Sequence, residues 1–167
     1  MTISADMSRF TRLLRGIVKE STSKAVMREV GENAVEIIKR RTKLGKDVDD
    51  KPFKQVSEAY EKRRRKVQLD ARATRTKQKS NLIASGQMID SIEVTDVKAR
   101  SVEIGAKGGR KKSPLDGGNV SNAEVAYYQD ERQGRKFLGL SEKNKQQLQR
   151  FYKRIVDKLA RKANKKK

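Results

Sequence analysis

Apolar residues in this chain follow two rhythms. Between Ser91 and Ala106 they fall on every second position: Ile92 and Val94, then Val102 and Ile104, on either side of a polar break at Asp96–Arg100. This alternation predicts a hairpin of two half-buried strands, with Glu93, Thr95 and Glu103 turned to water. Nearly everywhere else the apolar positions recur every three to four residues, the period of a helix. A two-stranded hairpin is marginal in water by itself, so helices must cover its apolar face, or further strands or a neighbouring subunit must complete it.

The helical rhythm appears first at Met7, Phe10, Leu13, Leu14, Ile17 and Val18, where Ser4 or Ser8 could cap a short helix. A stronger helix is predicted from about Ser23 to Arg41. Its apolar stripe is Val26, Val30, Ala34, Ile37 and Ile38, and Gly31 permits a close crossing. Ser57 can cap a short helix through Lys66 that sets Ala59 and Tyr60 on the core. Leu82, Ile83, Met88 and Ile89 flank a turn at Ser85–Gly86 leading into the first strand. Ala123–Gln129 is compatible with either a strand or a short helix. Phe137, Leu138, Gly139 and Leu140 form an apolar knot ahead of Ser141, a suitable helix cap. At Asn144 a capping box would place Glu or Gln. The last helix is predicted from about Glu142 to Ala163, with Leu148, Phe151, Tyr152, Ile155, Val156 and Leu159 as its apolar stripe. These stripes, with Phe137, Leu138 and Leu140, are expected to cover the hairpin.

The chain therefore reads as one α+β domain over residues 1–160, followed by a basic tail at 161–167. A small antiparallel sheet centred on the 91–106 hairpin is flanked by N-terminal and C-terminal amphipathic helices. Long flexible basic loops are expected near 43–53, 62–81 and 107–119.

Charge changes this picture more than composition does. Hydrophobic residues are 34% of the 167, and Lys plus Arg number 42 against 21 Asp plus Glu, for a formal net charge of +21. Such a chain repels itself and favours polyanions or an acidic protein surface. The stretch from Lys39 to Lys79 holds sixteen basic and six acidic residues. Arg63, Arg64, Arg65, Lys77 and Lys79 are its candidate phosphate or acidic-partner contacts, ahead of Lys111 and Lys112. Aromatics are only 5%, which argues against a stacking platform for single strands.

Catalytic chemistry finds little support. The chain has no Cys and no His, which removes thiol nucleophiles, imidazole bases and most zinc sites. Asp47, Asp49 and Asp50 lack calcium-loop spacing and sit beside lysines. Gly108–Lys112 lacks the spacing of a phosphate-binding loop. No enzyme activity, cofactor or metal is expected. No run of apolar residues is long enough for a membrane span, and the N-terminal residues lack the pattern of a secretory signal.

Three stretches together carry a family resemblance. The first is Ile37–Phe53 with its Gly45-Lys-Asp47 loop, continued by Phe53, Ser57 and Tyr60 at Phe-x-x-x-Ser-x-x-Tyr spacing. The second is Leu82, Ser85, Gly86, Met88 and Ser91 ahead of a strand. The third is Arg135-Lys-Phe-Leu-Gly-Leu-Ser141 before the last helix. In this order they resemble the tail-completion, or virion morphogenesis, proteins of tailed bacteriophages. That family often carries His-Gln-Gly where this chain reads Tyr128–Gln129–Asp130, and a proline before the Arg–Phe pair. Neither is present here. The resemblance implies a structural protein of the virion neck at the head–tail junction, made in the host cytoplasm, that completes the tail or joins it to the DNA-filled head. It also implies a homo-oligomeric ring of six or twelve copies, with portal, adaptor or tail proteins as partners and nonspecific contact with double-stranded DNA. The alternative is a sequence-nonspecific nucleic-acid-binding protein of ribosomal or architectural type.

Overall fold

A computed structural model describes residues 15–66, 82, 86–109 and 120–165, excluding the side chains of Arg64 and Arg65. Its elements are α1 (Lys24–Lys43), α2 (Glu58–Lys66), α3 (Gln87–Asp90), β1 (Ile92–Val97), β2 (Val102–Ala106), α4 (Asn122–Tyr127), a π-helical turn (Tyr128–Arg132) and α5 (Glu142–Lys165). A helical segment over 15–21 precedes α1. The protein is a small α+β fold built on one antiparallel hairpin. The residues proposed to cap or line a helix from Met7 lie largely outside the described residues.

The hairpin pairs Ile92 with Ala106 and Val94 with Ile104, which keeps the apolar set on one face. A bulge then sets Thr95 and Asp96 together against Glu103. The extra residue shifts the phase by one, so Val97 returns to the apolar face opposite Val102. Strict alternation would have turned Val97 to water. The reversal is tighter than the sequence suggested: the Lys98 amide donates to Ser101 O at 2.9 Å, leaving Ala99–Arg100 as the loop.

Helix α1 starts at Ser23, whose hydroxyl accepts from the Val26 amide at 3.3 Å. Its buried face comprises Val26, Gly31, Ala34, Val35, Ile37, Ile38, Arg41 and Thr42, and it packs on both strands. Gly31 sets the crossing distance. A Cβ there would stand 2.5 Å from Val102 Cγ1 and 2.9 Å from Val94 Cγ2. Ile38, Val35, Phe53, Met88, Ile89, Ile92, Ala126 and Phe137 form the core cluster.

The C-terminal helix departs from expectation. Its main packing is along α1 rather than over the hairpin, with Tyr152 OH donating to Ser21 O at 3.4 Å. The reason is width. Two strands stand about 5 Å apart and a helix with side chains is about 10 Å across, so one helix covers a hairpin. Within α5 only Asn144 is fully buried, and the stripe from Leu148 to Leu159 is half-buried.

One further local reading is corrected, and another is refined. Ala59 and Tyr60 are exposed on α2, and Glu61 is the buried residue of that turn. The 43–53 segment is exposed at most of its positions, as expected of a solvated loop, but it is anchored at others. Lys46 bridges Pro52, Phe53 is buried, and the Val48 amide donates to Lys136 O at 2.8 Å.

Replacing a glycine by alanine inside a helix normally stabilises by about 1 kcal/mol. At position 31 the sign should reverse, because overpacking costs about 1–3 kcal/mol. Gly31→Ala is expected to lower stability by about 1 kcal/mol in urea denaturation. An increase would show that the hairpin yields freely to α1.

Candidate interface around the head of the C-terminal helix

The site is built from the residues that fix where α5 begins. Ser141 caps the helix: its hydroxyl accepts from the Asn144 amide at 3.1 Å, and its carbonyl accepts from the Lys145 amide at 2.8 Å. Asn144 occupies the capping-box position, but its side chain serves another purpose. Arg41 Nη1 donates to Asn144 Oδ1 at 2.7 Å, and Arg41 Nη2 donates to Phe137 O at 2.6 Å. Arg41 is only 4% exposed. Burial draws its guanidinium below the usual arginine range, while Asp50 and then Asp47 oppose that shift. One side chain of α1 thus ties together the apolar knot and the first turn of α5.

The two aspartates belong to the loop that packs beside Arg41. Asp47 Oδ1 accepts from the amides of Asp49 and Lys51 at 2.9 and 2.8 Å, the side-chain turn that aspartate favours. Asp50 adopts a left-handed backbone with φ 61°, and its Oδ2 accepts from Ser141 Oγ at 3.2 Å. Among the described residues no cluster of three or more carboxylates could hold a metal ion.

The knot is held from its other side by the π-helical turn. Asp130 Oδ1 accepts from the amides of Phe137 and Leu138 at 2.8 and 3.2 Å. Gln129 Oε1 accepts from Arg135 Nη1 at 2.8 Å, and Gln129 O accepts from the Arg135 amide at 2.9 Å. Phe137 is fully buried, Leu138 and Leu140 pack against the core, and Gly139 lies against Val48, which a Cβ would approach to 3.1 Å. Ser121–Glu124 supplies the capping box that settles α4 as a helix: the Glu124 amide donates to Ser121 Oγ, and Glu124 Oε2 accepts from Ser121 N. That signal was present in the sequence and was missed.

Beside the knot, Arg135 stands near Tyr60 and Tyr128. Tyr60, Tyr127 and Tyr128 are 37%, 60% and 51% exposed. Burial lowers the Arg135 guanidinium, with Tyr60 and Tyr128 acting against that shift. Tyrosine and arginine are the side chains most enriched where proteins meet.

Of the sequence-derived contacts, three lie among the described residues. Arg63 is exposed on α2, and Arg64 and Arg65 lie on the same helix. Lys77, Lys79, Lys111, Lys112 and Ser85 lie outside the described residues. Gly86 takes a left-handed turn with φ 75° ahead of α3, and Met88 is buried in the core beside Ile89. Compared with protein-family models, curated proteins and solved structures, the chain matches none.

Removing one partner of a buried, charged hydrogen bond leaves the other without its bond. Arg41→Ala is expected to destabilise by about 3 kcal/mol, and Asn144→Ala by about 2. The double variant should fall short of the sum by at least about 1 kcal/mol. Additive urea midpoints would mean that Arg41 does not act through Asn144.

Proposed function

We propose that this chain is a structural, non-catalytic protein of the tailed-phage neck, completing the tail or joining it to the DNA-filled head. The observation that carries the reading is how the three resembling stretches combine. Ile38 and Phe53 come from the first, Met88 from the second, and Phe137 from the third, and all belong to one core cluster. Arg41 of the first stretch also donates to the backbone of the third. The residues that carry the resemblance are thus mutually dependent in packing, as expected when they specify one fold.

Surface features support a subunit role. The exposed Tyr60, Tyr127 and Tyr128 and the half-buried stripe of α5 are surfaces that a neighbouring copy, or a portal, adaptor or tail protein, would cover. A ring of six or twelve copies fits this role. Among the described residues no helix is long and apolar enough to cross a membrane. The second reading, a nonspecific nucleic-acid-binding protein, draws on the +21 charge, but that charge does not account for the exposed tyrosines.

Electron microscopy of particles containing the chain is expected to show a ring of copies at the head–tail junction. Particles assembled without it should accumulate as DNA-filled heads and separate tails. Normally joined particles lacking the chain, with the chain bound to nucleic acid elsewhere, would replace this reading with the second one.

A further inference from the structure

The strongest unassigned surface is the outer face of α5. The helix carries nine basic and two acidic residues over its 24 positions, and five of the basic ones share one line. Arg150, Arg154, Lys158, Arg161 and Lys165 follow one another at intervals of four, four, three and four. Successive members therefore stack along one line. The line flanks the half-buried stripe of Leu148, Phe151, Tyr152, Ile155 and Leu159, with Phe151 at the edge shared by the two. All five cations are exposed. Among the described residues none of them forms an ion pair, whereas Lys145, on another side of the helix, pairs with Glu142 at 2.6 Å. Arg154 rests 5.7 Å from the Phe151 ring centroid, a contact that orients its guanidinium. Asp157 is the one carboxylate beside the row. A shallow open groove runs here, lined by Arg154, Asp157, Lys158, Arg161, Lys162 and Lys165.

We propose that this face of α5 docks on the phosphate backbone of double-stranded DNA. The proposal deepens the neck reading, on which it rests for the origin of the duplex, and moves the main contact from the Arg63–Lys79 arm to the C-terminal helix. The row spans about 22 Å along the helix and presents a cation about every turn. A protein partner would need an apolar centre to the patch, and here the one apolar side chain in contact with the row, Phe151, lies at its edge under Arg154. A membrane surface would need the apolar stripe of the helix, which is half-buried and lies partly along α1. A phosphate backbone needs only positioned cations. Base reading is not part of the contact, so unrelated sequences should bind alike.

Salt-dependent binding of the full chain to two unrelated DNA duplexes tests this by fluorescence anisotropy. Each phosphate neutralised contributes about 0.9 to the slope of log affinity against log salt. Replacing Arg150, Arg154, Lys158, Arg161 and Lys165 by Gln should cut the slope by about 4 and weaken both duplexes equally. The smaller variant Arg154→Gln with Arg161→Gln should cut it by about 2, and it serves if the fivefold variant does not fold. Asp157→Asn should tighten binding. The control Arg63→Gln, Arg64→Gln and Arg65→Gln should change the slope less than the fivefold variant does. An unchanged slope in the α5 variants, a loss confined to the control, or binding to polyglutamate but not to duplex would each overturn the proposal. The two readings fail separately. A neck ring whose DNA affinity ignores α5 removes only this inference. Affinity that depends on α5, in a chain absent from the neck, removes only the neck assignment.

Discussion

The guanidinium of Arg41 is taken out of water and given two short acceptors, Asn144 Oδ1 and Phe137 O. A charge in that setting is tolerated only when its partners are fixed in place. The segments that supply those partners are therefore committed to one arrangement. Phe137 must present its carbonyl, so the knot is held by Asp130 on its far side. Asn144 must present its amide oxygen, so α5 must begin at Ser141. Asp47 and Asp50 add the negative field that counters burial, which brings the 45–53 loop against the same corner. The left-handed backbone of Asp50 is a local strain of the kind that surrounding contacts maintain, and its carboxylate meets the Ser141 hydroxyl.

This polar corner sits at the end of a thin core. The hairpin is one helix wide, and α1 fills its face at a distance set by Gly31. The long C-terminal helix is left outboard, with one side against α1 and the other in solvent. A small domain buries a limited share of its surface, and here the shortfall falls on the apolar stripe of α5. Among the described residues the same geometry leaves the basic row of α5 exposed. The apolar stripe lies partly along α1, and the basic row beside it faces solvent.

Parts of this arrangement were legible in the residues. Period two located the hairpin, because alternation leaves few other folded solutions. Gly31 in an otherwise good helix signalled a close crossing, and Ser57 and Ser141 marked helix starts. Phe137–Leu140 identified itself as a knot by apolar density next to a cap. Other parts were hidden for identifiable reasons. Arg41 stands among basic residues, and nothing local distinguishes the one cation that turns inward. Asn144 was noted as an imperfect capping residue, and its use by Arg41 involves a residue 103 positions away. The three aspartates resembled a solvated loop because composition does not reveal which carboxylates accept from backbone amides. The α2 register was misassigned because a nine-residue helix with two apolar residues fixes no face.

By itself, the sequence determined most element types, the strand alternation up to the bulge, the caps at Ser57 and Ser141, and the large positive charge. These depend on short-range sterics and spacing, which neighbouring residues settle among themselves. Tertiary structure decided which helix covers the hairpin, which arginine is buried, and which side of α5 carries an exposed row of cations. Those outcomes depend on contacts between residues distant in the chain, and on desolvation, which has no value until the surrounding surface exists.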